Sequence, residues 1–581
     1  MTHHRFHKRH RSRFSGLALA LLLGALRAGA QEITLSDAPR NLQLFARDPQ
    51  DSAEVSFAGT VNAAGHDSVR LEIFRGGALW SVDRGGLVYS SGVAPFRLSG
   101  RIHAELSEYA ARFYLDGSLV AARDSLVCGD VFLINGQSNA QAGGQGTATQ
   151  QSEWFRSFGT SHPDPQVCAA DSSWDLAQGH ATFTHAAVGV WGQSLGLSLV
   201  GAFRVPVAIL NGAVAGTQIV EHERNDSDPT NLQTIYGRLL WRARKAGVAR
   251  NIRAILWHQG ESDTGSGQWP YYQARFDALW NAWHEDYGPL EKVYAFQIRP
   301  GCGYEGQCEL REIQRTLPQF FPDLELMSTM GIGGHDGCHY TDAGYRQMAG
   351  WIFRLVARDL YGSSDTWCIT PPNVLSASYT TADHREIRVD FDSEVVWPPD
   401  SLGVSMKDYF FLDEEWSTVD SGRVDANGRT IVLTLRGPSR AVRIGYLPNL
   451  SYLGPPWSTY EGPWIRNPRG VGALSFWGVP IPEAANVGEE PPRLIGCSPN
   501  PSARAARIDF SLGTPQAIRI DVFDAGGRCV RTLADRWFPA GNQVVTWDGE
   551  DRAGNPAAAG AYLYRLLGRN ESRTGRLTIV R

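Results

Sequence analysis

Residues 129–139, Gly-Asp-Val-Phe-Leu-Ile-Asn-Gly-Gln-Ser-Asn, constrain the fold more than any other stretch of this chain. The apolar run 131–134 is bounded by Gly129 and Gly136, and such a run without polar alternation fits a strand buried on both faces of a parallel sheet. Gly136 permits a sharp turn. If a helix begins just beyond it, Ser138 lies at the carboxyl end of a central strand, near a positive helix N-terminus whose free N–H groups can hold an anion. Turn and N-cap chemistry explains an isolated Gly-Gln-Ser-Asn equally well, so the choice falls to the rest of the chain.

Two later stretches supply partners for a nucleophile. Trp257-His258-Gln259-Gly260-Glu261-Ser262-Asp263 follows the run 252–256, apolar except for Arg253, so its polar side chains leave the same edge of the expected sheet. Asp336-Gly337-Cys338-His339 precedes the helix-like stretch 340–361, with its carboxylate and imidazole three residues apart. Ser138, His339 and Asp336 thus provide nucleophile, base and orienter for acyl transfer, a set defined by geometry and role rather than chain order. Cys338 is the alternative nucleophile, although a Cys inside such a turn reads first as structural.

In order, the three blocks resemble the SGNH hydrolase superfamily, and within it the sialate O-acetylesterases and acetylxylan esterases. The resemblance spans residues 129–362. Gly212-Ala213-Val214-Ala215-Gly216-Thr217 is similar to that group's Gly-Gly-Thr loop, and Gln297-Ile298-Arg299-Pro300 and Leu310-Arg311-Glu312 to its later signatures. Ala215 departs from the usual Gly, and Cys338 is a second departure. The resemblance implies a three-layer α/β/α hydrolase domain of flavodoxin-like type, an oxyanion hole from the backbone N–H groups of Ser138 and Gly216 and the side-chain amide of Gln259, and supporting roles for Asn139, His258 and Glu261. It implies no metal and no organic cofactor. Gly-x-Ser-x-Gly is absent, which argues against an α/β-hydrolase elbow.

Around this block the pattern is β-rich. Residues 1–30 read as a secretory signal, with five Lys or Arg before position 14, an apolar run 17–26 and Ala28-Gly29-Ala30 before the expected cut. That run is too short to span a bilayer, and no other stretch is long and apolar enough. Removing the leader takes away six positive and no negative charges, so the formal net charge moves from −5 to −11, which argues against a nucleic-acid partner. Alternating short runs over 31–125 predict a β-sandwich, the βα alternation of 126–362 predicts the hydrolase domain, and a second β-sandwich is expected over 363–482. A Pro- and Glu-rich linker at 483–491 then leads to a β domain at 492–581. Ser498-Pro499-Asn500-Pro501, Asp548-Gly549 and Gly560-Ala561-Tyr562 make that last domain resemble the Ig-like repeat of hook-capping proteins and type IX sorting domains. Asp548 to Asn555 reads as a hairpin turn before a calcium loop.

All eight Cys survive removal of the leader, and export permits disulfides. Cys302 with Cys308, and Cys497 with Cys529, are the pairs that proximity in sequence suggests. The function expected is a secreted serine esterase acting on an acetylated carbohydrate, with the secretion machinery as partner of the C-terminal domain. A non-catalytic glycan-binding or adhesion protein and a lipid esterase or thioesterase on the same fold are the alternatives.

Overall fold

The computed structural model describes residues 32–143, 148–180, 182–302, 305–401, 403–447, 462–482, 492–503, 505–513, 516–538, 541–552, 554–568 and 572–580. The expected leader and the expected linker lie outside them.

The middle of the chain, from Leu126 to Gly362, is built on a largely parallel sheet between two layers of helices. Its strands, in spatial order, are Trp174–Leu176, Phe155–Phe158, Val207–Asn211, Ser118–Gly136, Ala254–His258, Lys292–Phe296 and Leu324–Met327. All pair in parallel except the Trp174–Leu176 edge strand, which is antiparallel. The nucleophile strand is central, flanked by Val207–Asn211 on one side and Ala254–His258 on the other. From Leu126 to Gly136 every residue is buried, as the apolar run requires.

Helices Ile235–Ala246 and Tyr272–Tyr287 cover one face and Val190–Phe203 and Asp342–Tyr361 the other, giving two apolar layers. Local sequence sets their ends. The Thr234 hydroxyl accepts from the Gly237 N–H at 3.0 Å to start Ile235–Ala246, and Gly247 ends it at φ 78°. Among the described residues no helix is long and apolar enough to cross a membrane.

The boundary expected at 125/126 falls inside one strand. Ser118–Gly136 pairs antiparallel with Tyr109–Leu115 along its first half and joins the parallel sheet along its second. The N-terminal β layers therefore run directly into the catalytic sheet. They hold a three-stranded sheet of Ile33–Asp37, Ser52–Val61 and Ala94–His103, with their own apolar core. At the junction the Arg47 guanidinium bonds the buried Asp130 carboxylate at 2.7 and 2.9 Å.

The region after the catalytic domain packs against it through buried polar groups. Gln297 Nε2 donates to the Ser475 carbonyl and Ser475 N–H to Gln297 Oε1, both at 2.9 Å, and Arg311 donates to the Leu447 carbonyl. Residues 492–580 form two further sheets around a core that includes Phe510, Ile520, Trp547 and Leu566. Their strands include Ala506–Leu512, Gln516–Phe523, Gly541–Trp547 and Gly560–Leu567.

Neither expected disulfide is present. Cys302 pairs with Cys338, not with Cys308, which is buried beside Arg311. Cys497 and Cys529 are free thiols. Disulfides need close Cα atoms and convergent Cβ vectors, which sequence proximity does not provide.

Candidate active site

The nucleophile turn is built by a glycine that nothing else can replace. Gly136 has φ 131°, and a Cβ there would lie 2.1 Å from the His258 carbonyl oxygen. The Gln137 N–H donates to that same oxygen at 3.0 Å, which pins the turn to the neighbouring strand. Ser138 follows at the start of a single helical turn, Ser138–Gln141. That turn is too short for an appreciable macrodipole, so the expected helix N-terminus contributes only individual backbone N–H groups.

Ser138 meets His339 directly. His339 Nε2 lies 3.0 Å from Ser138 Oγ, and His339 Nδ1 lies 3.6 Å from Asp336 Oδ2. The second distance is an ion-pair separation, long for a hydrogen bond, and such contacts tighten when substrate binds. Asp336 Oδ1 accepts from the backbone N–H groups of Cys338 at 2.8 Å and His339 at 2.7 Å. Partial burial would raise the Asp336 pKa, but these two bonds and the His339 imidazole hold it below the ordinary carboxylate range. Gly337, at φ 105°, lets the chain close this turn.

Behind the nucleophile, Asn139, His258 and Glu261 form one buried network. Asn139 Nδ2 donates to Glu261 Oε1 at 2.9 Å and to the Cys338 carbonyl at 3.1 Å, while Tyr345 donates to Asn139 Oδ1 at 3.1 Å. His258 Nε2 lies 3.2 Å from Glu261 Oε1, and both side chains are almost wholly buried. Burial works to raise the Glu261 pKa, yet His258 and the Asn139 amide lower it overall. His258 is therefore partnered with Glu261.

Gln259 does not match its expected role. Its side chain is fully buried, and Nε2 donates to Asp263 Oδ2, to the Thr217 carbonyl at 3.1 Å and to Gln137 Oε1 at 3.3 Å. With both amide hydrogens committed, no donor is left for an oxyanion. The Gly216 loop is drawn to the nucleophile turn by the Val214 N–H, which donates to the Gly136 carbonyl at 3.0 Å. Gly216 itself is exposed at φ 74°.

Sequence reasoning missed Gln137, whose Oε1 also accepts from the N–H groups of Gly260 and Ser262, both at 3.2 Å. It also missed a contact between Arg299 and a neutral His335 close to His339. Arg299 Nη2 lies 2.9 Å from His335 Nε2, and its guanidinium sits 5.6 Å from the Tyr340 ring centroid. Burial and the Arg299 charge drive His335 down to about 4. The only sequence signal was that Arg299 belongs to the Gln-Ile-Arg-Pro stretch and that His335 adjoins Asp336.

Comparison with known proteins bears on the family and the fold. Residues 128–357 match the family model of the carbohydrate esterases described as sialic acid-specific acetylesterase, and residues 504–571 match that of the FlgD Ig-like domain. A carbohydrate acetylesterase from Xanthomonas citri is similar in fold, with 17% identity, a TM-score of 0.53 and coverage of 77% of this chain and 99% of its own. A protein of known structure from Arabidopsis thaliana shares 20% identity, with a TM-score of 0.32 over 39% of this chain and 97% of its own. A search of curated proteins found no match. Residues 128–357 are a carbohydrate esterase domain of the sialic acid-specific acetylesterase family, and the chain is an esterase.

Proposed function

We propose that this domain removes O-acetyl groups from carbohydrates, with Ser138 as nucleophile, His339 as base and Asp336 as its orienter. The observation that carries the reading is the 3.0 Å approach of His339 Nε2 to Ser138 Oγ, with the Asp336 carboxylate on the opposite ring nitrogen. Ser138 attacks the ester carbonyl as His339 takes its proton, and the tetrahedral intermediate collapses as His339 protonates the departing sugar hydroxyl. Water, deprotonated by the same imidazole, then attacks the acetyl-serine and releases acetate. Asp336 keeps the imidazole in the required tautomer and stabilises its charged form. The backbone N–H groups of Ser138 and Gly216 serve the oxyanion. Gln259 serves it indirectly, by fixing the Thr217 carbonyl beside Gly216.

The test is acetate release across O-acetylated sialic acids, acetylated xylan and other acetylated glycans. Release from at least one sugar ester, well above release from long-chain acyl esters and thioesters, supports the reading; preference for the lipid-like esters overturns it.

The reading extends to export. The leader-like residues 1–30 and the FlgD-type Ig-like match at 504–571 support a secreted or surface-held enzyme whose C-terminal domain meets the secretion machinery. A chain ending at 482 should accumulate in the periplasm of the native host. Normal secretion of that truncation would discard the sorting role.

A further inference from the structure

We infer that Cys338 is a positioning residue for the general base, and that its disulfide to Cys302 holds the Asp336–His339 turn in working register with Ser138. The inference rests on His339 being that base.

The turn is closed by a bridge between His335 and Tyr340 and by the Asp336 N–H donating to the His339 carbonyl at 3.0 Å, bonds that set its own shape rather than its place against Ser138. Between the strand Leu324–Met327 and the helix Asp342–Tyr361 the chain forms no regular element. The side chains of Asp336 and His339 are 66% and 48% exposed, so surrounding packing does not fix them. Holding such a segment in one conformation costs entropy that some specific contact must offset.

Cys338 makes three such contacts. Its N–H donates to Asp336 Oδ1 at 2.8 Å, its carbonyl accepts from Asn139 Nδ2 at 3.1 Å, and its sulfur is bonded to Cys302. One residue thereby joins the orienting carboxylate, the residue after the nucleophile, and the loop that follows the strand Lys292–Phe296. Two of the three anchors are themselves fixed. Asn139 is fully buried, with its remaining groups bonded to Glu261 and Tyr345. Cys302 is 7% exposed, and the preceding Gly301 N–H donates to Gln307 Oε1 at 3.0 Å on the next helix. The link between Ser138 and His339 thus runs through Asn139 and Cys338, and the disulfide ties Cys338 covalently to a second fixed point, the loop after Lys292–Phe296.

Breaking that bond leaves the two backbone contacts but frees the side chain of the turn. A displacement of the imidazole by about 1 Å costs on the order of 10²-fold in rate. Substrate binding does not depend on that register, so the loss should fall on kcat.

The experiment compares wild type, wild type reduced with dithiothreitol, and the Cys302→Ser/Cys338→Ser double variant, with 4-nitrophenyl acetate as substrate. Dithiothreitol supplies two electrons, becoming its cyclic disulfide as Cys302 and Cys338 become thiols. Thiol counting by mass spectrometry confirms cleavage, and far-UV circular dichroism reports the fold. The expected result is a fall in kcat of about 10- to 100-fold in both the reduced protein and the double variant, with KM within about two-fold and an unchanged spectrum. Labelling of Ser138 by a fluorophosphonate should slow in parallel. Reoxidation with oxidised glutathione should restore the wild type and leave the variant unchanged. Because the reduced wild type starts from folded protein, a double variant that fails to fold does not remove the test. Full activity after verified cleavage overturns the inference, as does a loss that tracks unfolding. Ser138→Ala in the same assay separates the two levels: activity retained there would sink the triad reading itself, whatever the thiols do.

Discussion

Ser138 and His339 are 201 positions apart in the chain, and their Oγ and Nε2 atoms stand 3.0 Å apart in the fold. Two devices create that contact. Gly136 ends the central strand with a turn that only glycine accommodates, and Asn139 bonds the Cys338 carbonyl within the turn that carries the base. The contact is the product of the sheet order, since the strands Ser118–Gly136 and Leu324–Met327 run parallel in one sheet and deliver the loops that carry Ser138 and His339 to the same edge.

Gln259→Ala should act on stability more than on chemistry. The substitution removes the donor to the buried Thr217 carbonyl, whereas Asp263 keeps the Ile219 N–H at 3.0 Å and Gln137 Oε1 keeps the Gly260 and Ser262 N–H groups at 3.2 Å. Unsatisfied buried groups cost about 1–3 kcal/mol each. Urea unfolding should show a loss of at least that size, with kcat lowered by about ten-fold or less. An unchanged stability with a fall in kcat of about 10²–10³ would restore the oxyanion role to this residue.

The β region after residue 362 should be indispensable for folding, and the last domain dispensable. Gln297 and Arg311 are buried against Ser475 and Leu447, and Arg315 Nη1 donates to Asn373 Oδ1 at 2.9 Å. Thr329 donates to the Gln297 carbonyl at 2.7 Å, so the same network reaches the loop that holds the base. A chain ending at 482 should retain kcat/KM within about two-fold of the full protein, whereas one ending at 362 should be insoluble or inactive. An active fragment ending at 362 would contradict the packing described.

His222 should make stability depend on pH. It is fully buried, 2.8 Å from Thr217 Oγ1, and burial followed by Arg238 drives its pKa down from 6.5 to about 3. The unfolded chain therefore binds more protons than the folded one between those values. Stability from this group is complete above pH 6.5 and falls with acidification by about 1.4 kcal/mol per pH unit. Asp263 works in the opposite sense, because burial raises it to about 6, so folding takes up a proton and its contribution is lost as pH rises through that value. The difference between wild type and His222→Gln isolates the histidine. Unfolding free energies from pH 7 to 4 should fall less steeply in the variant; equal slopes would show that His222 is not neutral in the folded protein.

Much of the site was legible because its blocks follow strand ends. The apolar runs 131–134, before Ser138, and 254–257, before His258, are continuous, which is what strands covered on both faces require. The first half of Ser118–Gly136 was not legible, because Arg123 and Asp124 interrupt the run and its early residues are exposed. The helix Val190–Phe203 escaped notice for a different reason. It begins at Gly189 with no side-chain cap, is buried on most sides, and carries glycines that admit close neighbours: a Cβ on Gly196 would lie 2.2 Å from the Phe155 ring. The occupancy of Gln259 and the Cys302–Cys338 pairing are set by tertiary neighbours, and no local pattern encodes either.

The most direct test of the account is the turnover of Ser138→Ala on an acetylated carbohydrate, measured as acetate released by protein whose fold is checked by circular dichroism. Removal of a triad nucleophile costs several orders of magnitude, about 10³-fold or more. A loss of that size is expected in a variant with wild-type secondary structure. A folded Ser138→Ala protein that releases acetate at a substantial fraction of the wild-type rate would contradict it.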